Sequence, residues 1–202
     1  MAVNCLIYWG SSALTAGRYH YDFTMAFDRE VPLLPVFVWF YILAFPFWAV
    51  GYLLATRRGK DMFYRFVATD LTIHFICFIC FILIPTTNIR PEIAGNTISE
   101  KLLALVYSLD GGRSPSNLFP SIHCYVSWMC WKGVEGSEKV PKWYQRFSLV
   151  FAILIIISTQ VLKQHYIVDA AAALLLVEFF WRFYQKGQRH KWVVHIFSHK
   201  KK

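Results

Sequence analysis

The chain has 202 residues, 56% of them apolar and 18% aromatic, with charged residues at 16%. Soluble domains carry about a quarter charged residues, so this composition points to a membrane protein in one integral-membrane domain over 1–202. The net charge of +9 sits between and after apolar stretches, not on one face of a polar body, which argues against a nucleic-acid partner.

Residues 2–17 are uncharged and apolar but short, and form either a sixth span or a helix lying in the interface. Residues 33–55 (LLPVFVWFYILAFPFWAVGYLLA) and 64–85 (YRFVATDLTIHFICFICFILIP) are long enough to cross a bilayer. A shorter span is expected at about 119–134, followed by 146–163 and 167–185. The predicted fold is therefore all-α, a polytopic membrane bundle of six transmembrane helices, or five plus an N-terminal interfacial helix. The cysteines (Cys5, Cys77, Cys80, Cys124, Cys130) are odd in number and lie in apolar stretches, so they read as core hydrophobes and not as a disulfide framework.

Basic residues orient the bundle. Arg57, Arg58, Lys60 and Arg65, then Lys132, Lys139, Lys142 and Arg146, then Arg182 and the tail 186–202 fall on one side. By the positive-inside rule that side is cytoplasmic, and the tail is a solvated anchor on anionic headgroups. The expectation is a multi-pass cell-membrane protein with its C-terminus in the cytoplasm.

The opposite side collects the chemistry. In "NLFPSIHCYVSW" (117–128) an apolar run opens with Pro120, Ser121 and His123, which suits the first turn of a helix facing a polar site, with Pro120 at the first helical position. Arg90 follows the outer end of the 64–85 span, while His165 and Asp169 lie where the next-to-last span turns into the last. His165 and Asp169 are four apart and share a helical face. A carboxylate on Nδ1–H leaves Nε2 free for a nucleophile or general base, although the same pair also serves simply to join two helices. His123 adds a second imidazole, suited to protonating a leaving group. Arg90, Arg113 and Lys163 are candidate counter-charges, and the helix N-terminus at Ser121 offers free N–H groups, which together favour a phosphate. No H-E-x-x-H pattern or carboxylate cluster accompanies the histidines, and the surplus cations would repel a metal, so no metal or other cofactor is expected. Asp70 and His74, also four apart, lie deep in their span and read as an internal hydrogen-bonded pair.

These blocks resemble the type 2 phosphatidic-acid phosphatase superfamily, whose signature runs K-x6-R-P, P-S-G-H and S-R-x5-H-x3-D. Here they are Arg90–Pro91, "PSIH" at 120–123 and "STQVLKQHYIVD" at 158–169, so the motif region spans 83–169. The chain departs from the signature at Leu83 (lysine), Ile122 (glycine) and Thr159 (arginine), and Lys163 could substitute for the lost arginine. "NLFPSIH" and "KQHYIVD" look more like the inositol phosphorylceramide synthase branch. The resemblance implies that His165 attacks phosphorus to form a phosphohistidine, oriented by Asp169. It also implies that His123 protonates the leaving oxygen, while Arg90, Lys163 and the backbone around Ser121 hold the phosphoryl oxygens. The implied function is a metal-independent lipid phosphate or diphosphate phosphatase acting on the non-cytoplasmic side. Its alternatives are a lipid phosphotransferase and a catalytically silent lipid binder or transporter, for which Pro46 and Gly51 in one span are the supporting helix-breaking signals.

Overall fold

A computed structural model describes residues 2–198; Lys200–Lys202 of the basic tail and the side chain of Cys5 lie outside the described residues. Nine α-helices make up the fold among those residues: α1 (Ala2–Thr15), α2 (Ala26–Glu30), α3 (Val38–Ala55), α4 (Lys60–Leu83), α5 (Ile98–Leu109), α6 (Ile122–Val134), α7 (Lys142–Val161), α8 (Ile167–Gln185) and α9 (Lys191–Ser198). Two-residue strands β1 (Tyr21–Asp22) and β2 (Thr86–Thr87) pair in parallel, Tyr21 opposite Thr86. The fold is all-α, as the composition and the lengths of the apolar stretches predict.

Among the described residues, three helical stretches are long and apolar enough to cross a membrane: Pro35–Arg58, which contains α3, then Lys60–Leu83 and Lys142–Val161. The chain is accordingly an integral membrane protein. The other expected spans differ in physical character. α1 has 14 residues and packs beside α4. α8 has the length, 19 residues, but carries Asp169, Glu178 and Arg182. α6 has 13 residues and rises only about 20 Å.

α6 is short and polar because it is the central helix. It packs against α3, α4, α7 and α8. Down its length His123 meets Tyr41, Ser127 accepts from Trp48 Nε1 at 2.9 Å, Cys130 meets Gly51, and Gly133 meets Ala55. Both numbers rise together, so α3 and α6 run parallel. Gly51 is a packing glycine and not a hinge: a Cβ there would stand 2.6 Å from Cys130 Sγ. On the α4 side Tyr125 Oη and His74 Nε2 are 2.6 Å apart, and His74 Nδ1 lies 2.9 Å from Asp70 O. Tyr52 Oη donates to Asp70 at 2.5 Å, so the Asp70–His74 pair is the internal network expected for it. Cys77, Cys124 and Cys130 are free and buried, as core residues.

The basic end of the bundle is stapled by its own arginines. Arg58 Nη1 donates to Lys132 O at the end of α6 (3.0 Å), and Arg65 Nη1 to Tyr184 O at the end of α8 (2.6 Å). Cations thereby meet the carbonyl-rich helix C-termini they complement. At the other end, α5 was not anticipated. Its Thr97 Oγ1 accepts Glu100 N–H at 3.2 Å in a capping box, and its apolar face buries Leu103 and Tyr107 against Val38, Tyr41 and Leu162. This second core roofs the end where the histidines lie.

Candidate active site

The start of α6 is set by its flanks. Ser121 is the N-cap, its Oγ accepting Cys124 N–H at 3.2 Å. Pro120 is not the first helical residue but precedes the cap, after a cis bond from Phe119. The chain stays non-helical there because Thr86 Oγ1 accepts the N–H groups of both Leu118 and Phe119 at 2.9 Å, and Asn117 Nδ2 donates to Tyr8 O at 2.9 Å. Ser121 N–H donates to Asp169 O at 3.2 Å, joining the first turns of α6 and α8. Among the described residues no group accepts from the N–H of Ile122 or His123, so two amides and the positive end of α6 open together.

Those turns bring the two histidines together. The His123 and His165 rings are 6.1 Å apart between centroids, a gap one phosphoryl group can bridge. His165 is buried, and its Nδ1 lies 3.4 Å from Asp169 Oδ2. Asp169 Oδ2 also accepts Tyr166 N–H at 2.9 Å, so the carboxylate caps α8 while it faces the imidazole. His123 sits in an aromatic wall from α3, stacked on Tyr41 at 4.3 Å with Trp48 at 5.0 Å and the edge of Phe45 at 5.9 Å. His123 Nε2 and His165 Nδ1 are buried without a hydrogen-bond partner among the described residues. Buried polar atoms are ordinarily partnered, so His123 Nε2 marks a place where a ligand or water belongs, while His165 Nδ1 is turned to the Asp169 carboxylate.

Arg90 is fully buried and firmly held. Its Nη1 donates to Asp110 O (2.8 Å) and Gly112 O (3.1 Å); its Nη2 donates to Asp110 Oδ2 and to Gln164 Oε1. The D-G-G turn presents both carbonyls because Gly111 (φ 76°) and Gly112 (φ 66°) adopt a left-handed backbone closed to most other residues. The guanidinium lies 4.8 Å over the Tyr107 ring, and its Nε has no partner among the described residues. Burial pushes the Tyr107 hydroxyl up to about 12, with Arg90 pulling the other way, so it remains a neutral donor to Leu162 O at 2.7 Å.

The other expected phosphate ligands are placed differently. Lys163 turns away from the histidines: its Nζ donates to Asp28 O at 2.6 Å and to Val31 O, closing the C-terminus of α2. Burial lowers its pKa and Asp28 opposes the shift. The expected substitution for the missing arginine is therefore not realised by this side chain. Arg113 is exposed and paired with Glu92, contributing to the site only through its carbonyl, which accepts Arg90 N–H at 3.0 Å. The Ser121 hydroxyl is spent on the cap, leaving the neighbouring backbone as the donor. Leu83 is exposed at the end of α4, and Thr159 is buried, donating to Ile156 O at 2.7 Å. Asp110, Gln164 and the α3 aromatics were not singled out from the sequence. Gln164 adjoins His165, but nothing in its residue type announces a site. Among the described residues no group of three or more His, Cys, Asp or Glu is arranged to hold a metal ion.

No curated protein and no solved structure shows significant similarity to this chain. The family model of the PAP2 superfamily matches residues 19–182, which takes in the Arg90, His123 and His165–Asp169 blocks and most of the bundle. With its two histidines and buried arginine converging at one end of a helical membrane bundle, the chain belongs to the PAP2 superfamily.

Proposed function

We propose that this protein is a lipid phosphate or diphosphate phosphatase working through a phosphohistidine. The observation that carries the reading is the pair of imidazoles 6.1 Å apart, His165 with its Nδ1 towards Asp169 and His123 with a buried, unpartnered Nε2. His165 Nε2 attacks phosphorus as Asp169 holds the Nδ1 proton. The ester P–O bond breaks and His123 gives its proton to the departing oxygen. Neutral His123 then takes a proton from water, whose oxygen displaces His165 from phosphorus, releasing phosphate and restoring both rings. Arg90 and the amides at the start of α6 stabilise charge on the phosphoryl oxygens. The basic residues at the far end of the bundle support a cytoplasmic C-terminus and a site on the non-cytoplasmic side, with α1, α6 and α8 completing a six-helix membrane body.

A second reading, transfer of the phosphoryl-bearing group to a lipid or polyol hydroxyl, is favoured by the departures at Leu83 and Thr159, neither of which supplies a cation. The chemistry is the same with an alcohol in place of water. The deciding experiment is phosphate release from a panel of lipid phosphates and diphosphates in detergent with EDTA, wild type against His165→Ala. Release that survives EDTA and vanishes in the variant supports the phosphatase. Release lost with EDTA, or retained by His165→Ala, overturns it. Product formed only when an alcohol is added replaces it with the transferase.

A further inference from the structure

Gln164 is 1% exposed, at the junction between α7 and α8, immediately before His165. Its Oε1 accepts from Arg90 Nη2. A guanidinium has donors only, so the carboxamide can face Arg90 in one orientation, oxygen towards it. Its NH2 is therefore turned to the other side, and there it has no partner among the described residues. Arg90 Nε, the guanidinium's one uncommitted donor, is likewise buried and unpartnered.

The surroundings say what such a donor is for. Leu83 and Thr159 bring no charge to the site, and the Lys163 ammonium is committed to α2. Among the described residues, donors without a partner here include Arg90 Nε–H and the Gln164 NH2, along with the amides of Ile122 and His123. We infer that Gln164 donates from Nε2 to a non-bridging oxygen of the transferred phosphoryl group, a neutral donor standing in for absent cations. The inference rests on the phosphoryl-transfer reading of the site.

The test uses the full chain in detergent and orthovanadate, whose five-coordinate form mimics phosphorus in transfer, with affinity read by calorimetry and folding by thermal unfolding. Gln164→Glu keeps an acceptor for Arg90 but loses the donor, whereas Gln164→Met, of similar length, loses both. Vanadate binding weakened about tenfold or more in each variant, at an unfolding temperature near that of the wild type, is the expected result. Wild-type affinity in Gln164→Glu, or in Gln164→Met, overturns the inference and leaves Gln164 as a prop for Arg90. Should Gln164→Glu fail to fold, Gln164→Met decides alone. A wild type that does not bind vanadate overturns the phosphoryl-transfer reading itself, and the inference with it.

Discussion

Asp169→Asn separates two tasks that one oxygen performs. Asp169 is 1% exposed, and its Oδ2 both accepts Tyr166 N–H at 2.9 Å and faces His165 Nδ1 at 3.4 Å. An asparagine whose carbonyl oxygen keeps the Tyr166 bond still caps α8, so folding stability should fall by no more than about 1–2 kcal/mol. That oxygen still faces His165 Nδ1, but it is neutral and no longer offsets the positive charge the ring takes on as Nε2 bonds phosphorus. Loss of an orienting carboxylate in this manner reduces turnover by about 10,000-fold, equivalent to about 5.4 kcal/mol at 1.36 kcal/mol per tenfold. The two effects therefore differ enough to be told apart on one preparation, by phosphate release and thermal unfolding measured together. A variant that unfolds a few degrees lower yet turns over within a few-fold of wild type would show that Asp169 is a helix cap only and that His165 needs no orienting partner.

Three further outcomes are expected. His123→Gln should slow release from alkyl phosphates by about 100- to 10,000-fold but affect p-nitrophenyl phosphate far less, since that leaving group needs no proton; equal loss on both substrates would remove the general-acid role. Lys163→Ala should lower the unfolding temperature by removing two bonds to the end of α2, at a cost of about 1–3 kcal/mol, while turnover changes little; a large loss of turnover at unchanged stability would return Lys163 to the site. Gly51→Ala should destabilise by about 1–3 kcal/mol through the clash with Cys130, and adding Cys130→Gly should recover part of it; no change in unfolding temperature on Gly51→Ala would mean that α3 and α6 are not in close contact.

Much of this site was legible in the sequence because its residue types are rare in apolar stretches. His123, His165, Asp169 and Arg90 each interrupt a hydrophobic run or follow one, and their spacing places them at matching helix ends. What could not be read was direction. Arg113 and Lys163 have the right charge and lie close in sequence, yet a single turn of backbone sends one to Glu92 and the other to α2. Gln164 and Asp110 were missed for the converse reason: their types are ordinary and their relevance arises from a contact across 74 and 20 residues with Arg90. The span count suffered similarly. Apolarity measures what a helix shows to lipid, whereas α6 shows its sides to four other helices, and there Cys124, Ser127 and Gly133 pack well without a hydrophobic run.

The same distinction accounts for α1, a 14-residue helix within the stretch 2–17 expected to be either a span or an interfacial helix. Its polar atoms face the site's scaffold. Tyr8 Oη donates to Asp110 Oδ1, the Tyr8 carbonyl and Ser11 Oγ receive Asn117 Nδ2 at 2.9 and 3.0 Å, and Ser12 Oγ lies 2.8 Å from Ser116 Oγ. Asp110 in turn holds Arg90, and Asn117 leads into the turn that starts α6. The N-terminal helix thus braces, from one side, both the guanidinium and the amides that would meet the phosphate. A guanidinium with four fixed partners has little reorganisation left to undergo as charge develops on phosphorus. A site with a single buried arginine, and no cation from Leu83, Thr159 or Lys163, depends on that fixity more than on total charge.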